Sequence, residues 1–340
     1  MPCFHPLPAS RIPGKKTYSI GREGEQLAPT LDPSTGELIQ PIMIPCGQCV
    51  GCRLDYSRAW ADRCVLEAES YEHNHFLTLT YDDNHIVTPQ RSLITDKDTL
   101  TLFPKDLQDF LKRLRITWER KYNHTGIRFY ACGEYGSQTF RPHYHVIAFN
   151  LPIFDKKLYA TTKAGNALYT SDELESVWGN GFAPIGEVNW ETCAYTARYV
   201  MKKQKGKGAA DYYANAGIEP EFVRMSRRPG IARPYFEAHK DEIYKSFDIK
   251  LLGNAETKRK ICQGSIILPG GREANSPKYF DKIYEQEDPV FVAFLKETRQ
   301  RNAELNKKNI LAHTDLDERG YFEVQEKNKK DSIKALTRLL

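Results

Sequence analysis

Between residues 50 and 205 the spacing of apolar positions switches repeatedly between a strand period and a helix period. Pro142-His-Tyr-His-Val-Ile-Ala-Phe149 alternates, is aromatic and β-branched, and is closed by Asn150-Leu151-Pro152, which predicts a strand over 143–149. Comparable runs predict strands at 75–81, 127–133 and 182–189. Helical spacing takes over at 104–121, where Pro104 suits a first turn and Leu107, Phe110, Leu111, Leu114 and Trp118 share one face. Residues 53–71, with Trp60, Cys64, Leu66 and Ala68, also read as helix. Thr170-Ser-Asp-Glu173 is a capping-box pattern opening a short helix to Trp178, and 191–203 reads as a further helix. Residues 1–45 are rich in proline and glycine and read as irregular. Beyond 250 the pattern weakens, apart from helices near 288–308 and 330–340. The order β-α-β-β-α-β-α suits an α+β fold, a ferredoxin-like (RRM-like) antiparallel sheet with helices packed on one face. The expected division is an irregular cysteine-rich segment over 1–52, a core domain over 53–235 and a mainly helical or irregular C-terminal extension over 236–340.

Chemistry enters where the strand carries His143 and His145. Successive strand side chains point to opposite faces, so the two imidazoles sit side by side and offer a divalent-metal site lacking a third ligand. On the helix that follows, Tyr195 and Tyr199 are four apart and share a face, with Lys202 and Lys203 behind them. Singly, each feature is ordinary: a structural His-x-His, an aromatic packing stripe, a solvated basic helix end. Together and in this order they suggest phosphoryl transfer from DNA to tyrosine.

That conjunction resembles the HUH endonucleases, in particular the rolling-circle replication initiators of small single-stranded-DNA bacteriophages of the Microviridae, gokushovirus type. The resemblance rests on Phe76-Leu-Thr-Leu-Thr-Tyr-Asp-Asp83, Tyr130-Ala-Cys-Gly-Glu-Tyr-Gly136, Arg141-Pro-His-Tyr-His-Val146 and Tyr195-Thr-Ala-Arg-Tyr-Val-Met-Lys-Lys203. Phe222-Val-Arg-Met-Ser-Arg-Arg-Pro-Gly-Ile231 and Pro45-Cys-Gly-Gln-Cys-Val-Gly-Cys-Arg53 extend it over roughly residues 45 to 235. Tyr144 departs from the pattern by standing where an aliphatic residue is usual. The resemblance implies a site-specific single-strand endonuclease using Mg²⁺ or Mn²⁺. Such an enzyme nicks the viral origin, keeps a 5′-phosphotyrosyl link, leaves a 3′-hydroxyl primer and rejoins the displaced strand. An oxygen ligand would suit such an ion beside two imidazoles, and Glu134 is the candidate, brought beside the histidines by a hairpin whose loop is 136–141. Tyr199, with Lys202 three residues on, is the expected first nucleophile; Tyr195 would serve the alternate cleavage, and Lys203 is a weaker helper. The implied partners are single-stranded or supercoiled origin DNA, a host helicase and a DNA polymerase. Unwinding falls to the host because no Walker-type Gly-x-x-x-x-Gly-Lys-Ser/Thr occurs. An HUH-class transposase shares the order of motifs, although many have one tyrosine and are much shorter.

Eight cysteines are present, three of them in Cys46-Gly-Gln-Cys49-Val-Gly-Cys52. This spacing suggests metal rather than disulfides. A structural zinc needs a fourth ligand, for which Cys3 is the first candidate, with Cys64 and His5 behind it. An iron–sulfur cluster stays open, although the usual cysteine before a proline is missing. Net charge is only +5, and the basic character is local, at 112–115, 202–207, 224–233 and 327–330. No apolar run approaches a membrane span and no leader opens the chain, so a cytoplasmic protein without membrane contact is expected, in a bacterial host. Glu72-His73-Asn74-His75 is a decoy His-x-His at a helix-to-strand junction, and His85 and His124 read as loop residues. A competing class is a non-catalytic RRM-like, zinc-knuckle nucleic-acid-binding protein, with Tyr130, Tyr135 and Tyr144 stacking on bases.

Overall fold

The computed structural model describes residues 3–15, 17–88, 99–136, 138–162, 165–198, 203, 208–245 and 264–336. In chain order its elements begin with β1 (Leu7–Arg11), β2 (Tyr18–Ile20), β3 (Thr30–Leu31), β4 (Leu38–Ile39), β5 (Ile42–Ile44) and α1 (Val50–Ala68). The middle of the chain holds β6 (Asn74–Tyr81), α2 (Pro104–Tyr122), β7 (Arg128–Tyr135), β8 (Pro142–Phe149), β9 (Lys157–Thr161), β10 (Ala167–Thr170) and α3 (Asp172–Trp178). After these come β11 (Gly181–Phe182), β12 (Ile185–Glu187), α4 (Trp190–Arg198), α5 (Ala209–Ala216), β13 (Phe222–Met225) and α6 (Arg233–Tyr244). The last are β14 (Ser265–Leu268), β15 (Arg272–Asn275), α7 (Lys278–Tyr284), α8 (Pro289–Leu311) and α9 (Glu318–Leu336).

These elements form two compact units, Met1–Tyr56 with Glu297–Leu340, and Ser57–Lys296. The units divide the chain elsewhere than the sequence boundaries at 52/53 and 235/236. The reason lies in α6, β14, β15 and α7: Phe236, Tyr244, Ile266, Leu268, Phe280 and Tyr284 are buried in one core with Tyr130, Ile147 and Phe149 of the sheet. In the other unit, the Phe4 ring meets Phe322 edge-on at 6.5 Å, and His5 bridges the Glu23 and Glu326 carboxylates.

An eight-stranded, fully antiparallel sheet organises the larger unit, in the order β13-β7-β8-β6-β12-β10-β9, with β11 also paired to β6. The α+β class holds. The expectation of helices on one face does not. One face carries Leu77, Leu79, Ala131, Tyr144 and Val146 under α2 and α3. The other carries Tyr130, Ile147 and Phe149 against Ala61, Cys64 and Val65 of α1, Cys193, Ala194 and Ala197 of α4, and α6. β7 and β8 are buried along almost their whole length, and a strand apolar on both sides needs a layer on each. The 182–189 strand is two short ones, broken at Ala183-Pro184, because a proline cannot donate to a ladder. The cap of α3 falls one residue later than the sequence pattern places it: Ser171 Oγ accepts from the Leu174 amide at 3.0 Å.

Candidate active site

Three central strands hold the chemistry in register. Glu134 of β7 lies directly opposite His143 of β8, which lies opposite Thr80 of β6; Cys132, His145 and Thr78 make a neighbouring row. The intervening residues Tyr144 and Val146 belong to the opposite core, so the two histidines face the α1/α4 side. Glu134 Oε1 lies 2.8 Å from His143 Nε2 and 3.2 Å from His145 Nε2. The far nitrogens are also held: His143 Nδ1 is 3.1 Å from the Arg141 carbonyl, and His145 Nδ1 is 3.2 Å from Thr78 Oγ1. A carbonyl only accepts, so Nδ1 of His143 donates to it, and Nε2, turned toward Glu134, is the nitrogen that would ligate a metal in place of that hydrogen bond.

Glu134 and His145 are buried and His143 is half-buried. Burial pushes the Glu134 carboxyl up, but hydrogen bonds from His143 and then His145 outweigh it and hold the group down at about 2. Glu134 is therefore a carboxylate at neutral pH. One carboxylate oxygen and two imidazole nitrogens, mutually within 4.8 Å, are a donor set that fits a divalent cation of intermediate hardness.

Tyr195 reaches this centre from α4. The helix opens on a reciprocal cap, with Thr192 N donating to Asn189 Oδ1 at 2.8 Å and Asn189 N donating to Thr192 Oγ1 at 3.0 Å. Cys193, Ala194 and Ala197 are buried in the core. The Tyr195 ring stands edge-on to His145, centroids 5.0 Å apart. Phe76 of β6 completes the group: its ring stacks on His145 at 5.3 Å and 9°, and meets Tyr195 edge-on at 6.3 Å. Neither Phe76 nor Thr78 was among the sequence candidates, although their alternation with buried Leu77 and Leu79 puts both on the histidine face. Lys203 is half-buried; Tyr199 and Lys202 lie outside the described residues.

The remaining candidates sort differently. His75 is buried on the opposite face of the sheet from His145, since it alternates with Phe76 and Thr78, and it takes no part in the site. His73 is exposed. Tyr130, Tyr135 and Tyr144 are buried, so the stacking role that the RRM-like alternative gives them has no surface to act on.

The smaller unit holds a second constellation, Cys3, Cys46, Cys49 and Cys52, with their sulfurs mutually within 4.8 Å. Backbone amides point at these sulfurs: Cys46 N at Cys3 Sγ (3.2 Å), Cys49 N at Cys46 Sγ (3.3 Å), and Phe4 N and Cys52 N at Cys49 Sγ (both 3.4 Å). Burial raises the Cys49 thiol, and the amides of Cys52 and Phe4 outweigh it, bringing it to about 7. Four convergent thiols with amide support fit a tetrahedral metal. The competing fourth ligands are elsewhere: Cys64 is buried beside Cys193, and His5 is engaged with two carboxylates.

No helix of the described residues is long and apolar enough to cross a membrane. No solved structure gives a significant match to the chain. The family model "Replication-associated protein ORF2/G2P" matches residues 74–204, which span β6 through α4 and so contain Glu134, both histidines and Tyr195. A replication-associated protein VP4 of Bdellovibrio phage phiMH2K is 27% identical over 293 residues, 85% of this chain and 79% of its own. In Chlamydia phage 1, a replication-associated protein ORF4 is 31% identical over 164 residues, 47% of this chain and 38% of its own. The replication-associated protein ORF2 of Spiroplasma virus 4 is 35% identical over 303 residues, 87% of this chain and 85% of its own. With agreement running nearly end to end in both chains, this protein belongs to the replication-associated ORF2/G2P family of gokushovirus-type phages of the Microviridae.

Proposed function

We propose that this chain is a rolling-circle replication initiator that nicks single-stranded viral origin DNA and keeps the 5′ end as a phosphotyrosine. The carrying observation is the Tyr195 ring set against His145, which shares the Glu134 carboxylate with His143. Glu134, His143 and His145 would hold Mg²⁺ or Mn²⁺, which when bound polarises a non-bridging oxygen of the scissile phosphate. The chain supplies the rest. A tyrosine hydroxyl loses its proton to solvent or a nearby base and its oxygen bonds to phosphorus. The P–O3′ bond breaks, and the departing oxygen takes up a proton to become a 3′-hydroxyl. Bond energy is conserved for rejoining, and the free hydroxyl primes synthesis by a polymerase. Phe76 and Thr78 fix the His145 ring, and the carbonyl of Arg141 fixes His143, so little reorganises during attack. Tyr199 is assigned the first cut with Lys202 as its electrostatic support and Lys203 as a weaker one, and Tyr195 the alternate cut. The protein acts in the host cytoplasm beside a host helicase, on single-stranded or supercoiled origin DNA.

The decisive test is incubation with labelled origin single strand and Mn²⁺, followed by denaturation and peptide mass spectrometry. Covalent label is expected on Tyr199 or Tyr195, and none in a Tyr195→Phe, Tyr199→Phe double variant. Label on neither tyrosine ends the reading. The four cysteines of the smaller unit are assigned a structural Zn²⁺; elemental analysis should give about one zinc per chain, lost on any single Cys→Ser change. Neither zinc nor iron in chelator-washed protein removes that assignment.

A further inference from the structure

Two large aromatic side chains near the catalytic end of the sheet have no packing role. Phe182 is 60% exposed and Phe140 is 67% exposed. Phe182, on β11, lies opposite Thr80, which lies opposite His143, which lies opposite Glu134. Residues in one cross-strand row share a face, so Phe182 stands on the same face as the two ligand candidates. Two strand spacings separate it from His143, about 10 Å. The fold is built to keep it there: Gly181 has φ +143, and a Cβ at that position would lie 2.4 Å from the Thr80 carbonyl oxygen. Only glycine permits that approach of β11 to β6.

Phe140 sits in the hairpin loop between β7 and β8, just before Arg141 and His143. Its φ is +52, in the left-handed region that bulky residues avoid. Its backbone is nevertheless hydrogen-bonded, with Phe140 N donating to the Gly136 carbonyl and Gly136 N to the Arg141 carbonyl, both at 3.0 Å. Arg141 Nη2 donates to the Tyr81 carbonyl at 3.0 Å, tying that loop to the β6 end that also pairs with β11. A strained, water-exposed phenylalanine and a second exposed one held by an obligatory glycine both oppose stability with no return in packing.

We infer that Phe140 and Phe182 are base-stacking platforms for the nucleotides flanking the scissile phosphate. This rests on the nuclease reading, and it adds to it the part that grips the unpaired bases. Stacking accepts any base, so this grip contributes affinity for single strands without reading sequence.

The test uses the full chain with no added Mg²⁺ or Mn²⁺, so that no cleavage occurs, and two fluorescein-labelled probes: an oligo-dT strand and an abasic strand of the same length. Phe140→Ala and Phe182→Ala should each weaken oligo-dT binding about ten-fold or more, while the abasic strand, which offers only phosphates and sugars, binds as to the parent protein. Phe182→Trp should restore the loss. Phe140→Asn, a residue at ease with positive φ, should lose affinity while melting no lower than the parent. Unchanged oligo-dT affinity in both alanine variants overturns the inference, and if the parent still forms its phosphotyrosine in Mn²⁺ the nuclease reading survives. Loss of self-association in sedimentation, with DNA affinity intact, also overturns it and assigns the rings to a second copy of this chain. A parent protein that neither binds single strand nor forms an adduct removes both readings together.

Discussion

The two faces of one strand teach most about this protein. On β8, Tyr144 and its neighbours on either side differ in everything but address. Tyr144 is wholly buried, its hydroxyl accepting from the Phe103 amide at 3.0 Å, with its one proton directed between the Tyr81 hydroxyl at 2.7 Å and the Phe103 carbonyl at 2.9 Å. Tyr81 in turn donates to Asp106 Oδ2 at 2.7 Å. Every polar atom there closes on protein, and the network seats the N-terminus of α2 on the sheet. His143 and His145 instead converge on one carboxylate, from the face against which Tyr195 packs. Alternation, the simplest consequence of strand geometry, separates a face that holds the fold together from the face to which the proposed reaction is assigned.

The comparison breaks most visibly at the histidines. His143→Ala with His145→Ala should lower Mn²⁺-dependent adduct formation by about a thousand-fold or more, some 4 kcal/mol of barrier, with the circular dichroism spectrum unchanged. If the double variant cuts normally, the reactive face has been misassigned. A smaller effect belongs to His75 on the holding face, where burial, then Lys156 and His73, push its pKa down to about 4. The unfolded chain takes up this proton near ~6.5, well before the folded one does. Stability is therefore full above that value and is lost as pH falls toward 4, by roughly 2 kcal/mol between pH 7 and 5. Denaturant melts of His75→Leu should lose that part of the pH slope; an identical slope in the variant would refute the account. The smallest change is Tyr144→Phe, which leaves the Phe103 amide without its acceptor and should cost about 1–3 kcal/mol, toward the low end if water replaces the hydroxyl. Adduct formation by the folded variant should stay within about two-fold of the parent. A large activity loss without destabilisation would mean that the faces are not independent.

Much of this division was legible in the sequence because it depends on short-range periodicity. The His143/His145 alternation is local, and the hairpin loop at 136–141 suffices to bring Glu134 back to them. What escaped depends on long-range packing. His145-Val-Ile-Ala-Phe149 is an unbroken apolar run after its histidine, which is the mark of a strand covered on both sides, yet the alternation before it suggested one covered face. The edge strand Phe222–Met225 and the layer from α6 to α7 escaped because their apolar residues are few per element, and only the shared core makes them coherent. Cys3, the first candidate for the fourth thiol, does join Cys46, Cys49 and Cys52, although it is far from them in sequence. Its place depends on the path of the chain between them.

The hairpin joining β7 to β8 has a further consequence. Its strands pair continuously from Arg128 opposite Phe149 to Tyr135 opposite Pro142, so the facing of Glu134 and His143 is dictated by the ladder and not by the turn that closes it. Residues 137–140 can be rewritten while Glu134 stays opposite His143, provided Arg141 keeps its carbonyl against His143 Nδ1. The strength of the grip proposed for Phe140 can therefore be tuned by loop substitutions alone, on a pair of facing residues that the ladder holds unchanged.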